Sequence, residues 1–297
     1  MLRFSSLFVL LAATAAAQPL QDALRARIGS FQGSVSLYAR NLDTGAAIGI
    51  REAEPVRTAS TIKLAIMGAV FDTVARGQAK WTEPLTVTAA EKVSGSGIVA
   101  SEISDGVQLP LRDLVHLMIV LSDNTATNMV LERITADAVN AYLDRIGIRT
   151  TRSLRKIRGD GSELKAAAGW SAAGKLPENQ KYGLGVSTPR DMVAILEKLE
   201  RGELVSPDAS REMIAILKRC QDNTGIRRHM GDLPVANKTG ALDALRSDLG
   251  IVYSKSGRIA IAITVDGMPK TDYSAENAGS LLIADLAKIL VDGLASR

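Results

Sequence analysis

Three short strings carry the chemistry of this chain: Ser60-Thr61-Ile62-Lys63, Ser122-Asp123-Asn124 and Lys238-Thr239-Gly240, in that order along 297 residues. A serine hydroxyl is a weak nucleophile until a neighbouring group takes its proton. Lys63 follows Ser60 by one turn of a helix that opens at the serine, so its amine reaches the serine oxygen. Desolvation and neighbouring cations can neutralise a lysine and make it a base. Ser60 is therefore the candidate nucleophile and Lys63 the candidate base of an acyl-transfer site that works without histidine. The unpaired backbone N–H groups at the helix start point at the negative charge that develops on an attacked carbonyl. Ser-x-x-Lys alone says little: chance supplies it roughly once in a chain this long, and a second copy stands at Ser162-Glu163-Leu164-Lys165. The other two triplets are much rarer by chance, and their fixed order makes the trio specific.

The same trio marks class A β-lactamases and penicillin-binding proteins. The likeness continues through Ser94-Gly95-Ser96-Gly97-Ile98, the stretch SDNTATNM from Ser122 to Met129, Ser187-Thr188-Pro189-Arg190-Asp191-Met192, and KTGALDALRSDLGIV from Lys238 to Val252. The chain thus resembles the class A β-lactamase family over most of its length. The resemblance implies an oxyanion hole from the backbone N–H groups of Ser60 and Ala241. It makes Ser122 the proton relay to the leaving nitrogen and Asn124 the holder of the substrate's side-chain amide. It places Lys238 as positive potential beside Ser122, and Thr239 on the substrate carboxylate with Gly240 and Ala241 beside it. Arg246 is a further carboxylate-binding candidate, with Arg227 and Arg228 competing for the role. Asp123 reads as a structural carboxylate that holds its turn.

One stretch departs from the family. Its β-lactamases carry Glu-x-x-Leu-Asn in an omega loop, and that glutamate activates the water that cleaves the acyl-enzyme. Here Thr151-Arg152-Ser153-Leu154-Arg155 resembles the approach to the loop, but Lys156-Ile157-Arg158-Gly159 follows where the glutamate should stand. Asp160, Glu163 and Glu178 are candidate substitutes, Glu163 foremost as a deacylation base, with Asn179 a candidate water partner. Acylation is thus better supported than rapid deacylation.

Composition narrows the alternatives. Residues 1–17 read as a secretory signal peptide: Arg3, an apolar run from Phe4 to Ala13, then Ala15-Ala16-Ala17. That run is too short to span a membrane, and no cysteine stands beside the cleavage site to anchor a lipid. A soluble, exported and periplasmic monomer is expected. The single Cys220 excludes an intramolecular disulfide and reads as a buried thiol on an amphipathic helix. A net charge of +4 with 4% aromatic residues argues against nucleic-acid binding. Of the two histidines, His116 reads as a satisfied residue of an apolar helix and His229 as exposed in a charged loop, so neither a Ser-His-Asp triad nor a histidine-rich zinc site is expected, and no metal or cofactor. Gly95-Ser96-Gly97-Ile98-Val99-Ala100 lacks the buried strand a dinucleotide loop needs. Lys238-Thr239 lacks the glycine and helix of a phosphate loop.

Periodicity supplies the scaffold. Helices are predicted at 18–28, from Ser60 to Gly77, and at 111–121, 125–134, 137–146, 189–201, 207–219 and 275–294; strands at 34–42, 46–51, 235–238, 249–254 and 258–266. Strands, then helices, then strands imply an α/β part (18–57 and 211–297) with an all-α part (58–210) inserted. The antiparallel sheet would be built from both chain ends and flanked by helices, which is the β-lactamase/transpeptidase-like fold that the resemblance implies. The segment 153–185, with six glycines and one proline, is the only long stretch without a period and reads as a functional loop. Three functions remain: a secreted β-lactam hydrolase acting through acyl-Ser60, a D-alanyl-D-alanine carboxypeptidase or related acyl hydrolase, and a penicillin- or peptidoglycan-binding protein with little turnover.

Overall fold

Apolar side chains on both faces of one sheet require a layer of helices on each side, and the chain supplies both. The computed structural model describes residues 18–158 and 169–295; the leader 1–17 and the loop carboxylates Asp160 and Glu163 lie outside the described residues. Helix α1 (18–28) leads into strands β1 (Ser34–Asn41), β2 (Ala47–Ile50) and β3 (Val56–Arg57). The middle holds α2 (Lys63–Ala75), α3 (Val99–Glu102), α4 (Leu111–Val120), α5 (Asn124–Ile134) and α6 (Ala136–Arg145), with short strands β4 (Pro84–Thr86) and β5 (Gln108–Pro110). Strands β6 (Arg152–Ser153) and β7 (Gly185–Ser187) bracket the long loop, followed by α7 (Pro189–Glu200) and α8 (Pro207–Leu217). Strands β8 (Val235–Leu242), β9 (Leu245–Ser254), β10 (Gly257–Asp266) and helix α9 (Ala278–Ala295) complete the described chain.

The main sheet runs β2-β1-β10-β9-β8, antiparallel throughout, so strands from both chain ends meet at the β1–β10 pair. Successive side chains of a strand point to opposite faces. Ile259, Ile261, Ile263 and Val265 of β10 pack with Leu24 of α1 and Leu286 of α9. Ala260 and Ala262 turn to the other face and join the helical core that includes α7. That core also takes in α2, which is buried around most of its circumference from Lys63 to Phe71. A helix so placed needs apolar side chains all round.

The predicted helices and strands appear with their ends shifted by a few residues, and three shifts bear on the site. The strands expected at 235–238 and 249–254 extend to Leu242 and back to Leu245, closing a tight hairpin on Asp243 and Ala244. Neither turn residue is glycine or asparagine, the usual mark of a two-residue hairpin. Helix α2 begins at Lys63, with Ser60 in the 3-10 turn Ala59–Ile62. Cys220 lies beyond the end of α8 rather than within a helix, although it is buried.

The small side chains on the inner face of β10 leave no slack. Ala262→Leu should destabilise the fold by about 1–3 kcal/mol through overpacking, read as an earlier midpoint in urea unfolding.

Candidate active site

In a 3-10 turn, side chains three positions apart eclipse one another. The turn Ala59–Ile62 therefore carries Ser60 and delivers Lys63 directly above it, at the first residue of α2. Lys63 is fully buried, and its Nζ donates to Ser122 O at 2.7 Å, Ser122 Oγ at 3.2 Å and Asn124 Oδ1 at 3.2 Å. Lys238, equally buried on β8, donates to Ser122 Oγ at 3.0 Å and Thr239 O at 2.8 Å. One serine hydroxyl thus bridges two amines. Burial pushes the Lys63 amine well below the ordinary lysine value, the positive charge of Lys238 pushes the same way, and Asp123 opposes. Lys238 is lowered by burial too, against the carboxylates of Asp222 and Asp248. Both shifts favour loss of a proton from the buried amines.

The Ser-Asp-Asn turn is held from beneath. Ser122 has φ of 54°, a left-handed conformation that costs a non-glycine residue free energy. Its carbonyl accepts from both Lys63 and Ser96 Oγ, the latter at 3.0 Å, which holds the backbone there. Asp123, buried, accepts from the backbone N–H groups of Ile98 at 2.7 Å, Val99 at 2.8 Å and Ala126 at 2.8 Å. It caps α5 and ties the Ser94–Ile98 loop to it. A Cβ on Gly97 would fall 2.2 Å from the Asp123 carboxyl carbon, which explains the glycine. Asn124 donates to Ser94 O at 3.1 Å.

Edge strand β8 closes the other side. A Cβ on Gly240 would lie 2.9 Å from the Ser60 nitrogen and 2.9 Å from Thr58 O, so only glycine lets the strand sit against the nucleophile's turn. Ser60, Ser122, Asn124, Thr239, Gly240 and Ala241 line one cleft of about 1260 Å³.

Arg246 lines a smaller pocket beside Thr239, Gly240 and Ala241. Its guanidinium donates to Leu242 O at 2.7 Å, to Leu245 O at 2.6 Å and to Asp272 O, and lies 4.8 Å from the centre of the Tyr273 ring. It braces the β8–β9 hairpin from behind. Arg227 donates to Val235 O and Asn237, and Arg228 to Ala275 O and Glu276.

At the departing loop, Lys156 turns away and pairs with Glu132 and, at 3.7 Å, with Glu91. Ile157 stands on the cleft wall. Its backbone is pinned at both ends by Asn128, which accepts from Ile157 N at 2.8 Å and donates to Ile157 O at 2.9 Å. Glu178 is exposed, and Asn179 donates to Ala173 O within the loop. Among the described residues, the carboxylates lining the cleft are Asp222 and Asp243. Neither belongs to the loop, and Asp243 accepts from the Tyr273 hydroxyl. Ser96, Asn128 and Ile157 escaped the sequence reading. Asn128 follows Asn124 by four positions and so shares its face of α5, a spacing visible in the string SDNTATN.

No group of three His, Cys, Asp or Glu side chains among the described residues is placed to hold a metal ion. None of their helices is long and apolar enough to cross a membrane.

Comparison with known proteins places this geometry in a class. The sequence model of the Beta-lactamase enzyme family matches residues 19–294, and the chain belongs to that family. Its fold is the β-lactamase/transpeptidase-like fold, and by family it is a β-lactamase-type serine hydrolase. It is similar to a β-lactamase from Sphaerobacter thermophilus, with 26% identity over 93% of this chain and 96% of that one and a TM-score of 0.78. A mutant of PBP-A, solved as an acyl-enzyme complex with penicillin G, shares 26% identity over 94% of this chain and 96% of that one, with a TM-score of 0.76. The β-lactamase regulatory protein BlaB of Streptomyces cacaoi is 25% identical over 93% of this chain and 96% of its own length.

Two outcomes test the site. Asp123→Ala strands two buried N–H donors and one partly buried one, each buried donor worth about 1–3 kcal/mol, so urea unfolding should show a loss of at least about 2 kcal/mol. Serine acylation, followed as a function of pH, should rise as Lys63 loses its proton, at a pH well below the 10.5 of an ordinary lysine. Removing a nearby positive charge favours the protonated form, so Lys238→Ala should move that rise to higher pH.

Proposed function

We propose that this protein is an exported, periplasmic hydrolase that opens β-lactam amides through an acyl-Ser60 intermediate. The observation that carries the reading is the buried array Lys63–Ser122–Lys238 beside Ser60. Lys63 takes the Ser60 proton as Oγ attacks the lactam carbonyl. The backbone N–H groups of Ser60 and Ala241 stabilise the oxyanion. As the C–N bond breaks, Ser122 passes a proton to the leaving nitrogen and recovers one from the amines it bridges. Thr239 and Lys238 receive the substrate carboxylate, with Arg246 adding positive potential from behind the hairpin. Asn124 holds the amide of the acyl side chain. Water then cleaves the ester.

The last step has a specific obstacle. Ile157, pinned by Asn128 on the cleft wall, offers no base to that water. This observation favours a second reading, in which the protein acylates and releases slowly, as a penicillin-binding protein or a D-alanyl-D-alanine peptidase-type enzyme does. Glu163 is the proposed replacement base in the first reading.

Intact-protein mass spectrometry after mixing with benzylpenicillin decides between them. An adduct of the whole penicillin is expected on the wild type and none on Ser60→Ala. Decay within minutes supports the hydrolase; persistence for hours supports the slow reading; no adduct at all overturns both. If the loop position is what limits water attack, Ile157→Glu should shorten the adduct's lifetime by about a hundredfold, the typical worth of a positioned general base. An unchanged lifetime would reject that role for the position.

A further inference from the structure

Beyond Asn124, the cleft wall changes character. Arg155, Arg158 and Lys181 line it there. Two neighbouring cations are paired with carboxylates: Arg152 with Asp144, and Lys156 with Glu132 and Glu91. Among the described residues, Arg155, Arg158 and Lys181 have no carboxylate at ion-pair distance. Their partners are aromatic rings and a carbonyl instead. The guanidinium carbons of Arg155 and Arg158 lie 5.6 and 5.2 Å from the centre of the Trp170 ring, and the Lys181 amine lies 5.1 Å from that of Tyr182. Arg155 donates to Lys156 O at 2.9 Å. The Nε of Arg158 is shielded from solvent and has no hydrogen-bond partner. Burial, together with the charge of Arg158, lowers the Arg155 guanidinium to about 10, so the two cations strain against each other.

Position within the cleft gives this charge a meaning. Asn128 follows Asn124 by one turn of α5 and pins Ile157, the residue before Arg158. The cations therefore stand on the side where the acyl side chain lies, given the reading of Asn124 above. Of the two carboxylates that line the cleft, Asp243 belongs to the β8–β9 turn, and Asp222 interacts with Thr239 of β8. Among the described residues, the carboxylates of the cleft stand at its β8 side and the cations without a carboxylate partner at its loop side. Arginines stacked on a ring keep their N–H edges free and present planar pairs of donors that match a carboxylate.

We infer that the acyl side of this cleft selects substrates whose acyl group carries a carboxylate, received by Arg158 with Arg155 and Lys181 around it. The inference rests on the acyl-Ser60 reading and names the substrate class within it.

The test compares two penicillins that differ only in that group, one with a benzyl and one with an α-carboxybenzyl side chain. The readout is the second-order rate of adduct formation on the wild-type protein. The carboxylate-bearing compound should acylate about tenfold faster, the increment of one charge-assisted pair. The ratio should fall toward one in Arg158→Gln. It should also fall in the wild type as salt rises from about 0.05 to 0.5 M, where screening shortens the reach of the charges. Adducts forming at equal rates, or a ratio indifferent to both salt and Arg158→Gln, would overturn the inference alone. No adduct from either compound would overturn the acyl-Ser60 reading and this inference with it.

Discussion

The rest of the site depends on the burial of two lysines against one serine hydroxyl. An ammonium removed from water costs several kcal/mol unless it is paired or gives up its proton. Lys63 and Lys238 are buried completely, and what they share is Ser122 rather than a carboxylate. Burial and the positive charge of Lys238 both make the charge on Lys63 harder to keep. The amine so destabilised sits one 3-10 turn from Ser60, where the proposed chemistry would need a base.

Holding two such groups together requires support that does not yield. Asp123 supplies it below by taking three backbone N–H groups into a buried carboxylate, which fixes the loop before α3 to the start of α5. The left-handed backbone at Ser122 persists because its carbonyl is claimed from two directions. On the opposite side, β8 presses against the Ser60 turn at a distance that only Gly240 permits. The edge strand is in turn braced by β9, whose Arg246 fastens the hairpin to the segment after β10. The sheet is thus the frame on which the nucleophile's turn is registered.

The loop side tells the opposite story. Asn128 grips Ile157 with two hydrogen bonds, a fixture suited to holding a side chain at one place over the cleft. The side chain so held is apolar and stands on the cleft wall. The same loop brings Arg155, Arg158 and Trp170 to the wall as a stacked, cationic surface. The scaffold follows the family, and the loop is where this chain departs from it.

Much of this was legible in the chain. The three strings name the candidate nucleophile, base and relay because reaction chemistry restricts residue type, and the helical and alternating periods locate α2, α4 to α9 and the long strands. Gly240 and the departure at Lys156-Ile157-Arg158 were visible as well. What a one-dimensional reading misses is contact between distant segments. The full length of β8 and β9 was hidden because a ladder is made by a partner strand, and the residues near their turn carry no strong strand signal of their own. The bracing role of Arg246 depends on carbonyls of the β8–β9 turn and of Asp272, 26 positions away. By itself, the sequence determined the chemistry available, a serine and lysines with no loop glutamate in its expected place. Only the tertiary structure decided that both lysines are dry, that Ile157 holds the pinned position, and that Arg155, Arg158 and Lys181 face the cleft, because burial and neighbourhood are properties of residues in space.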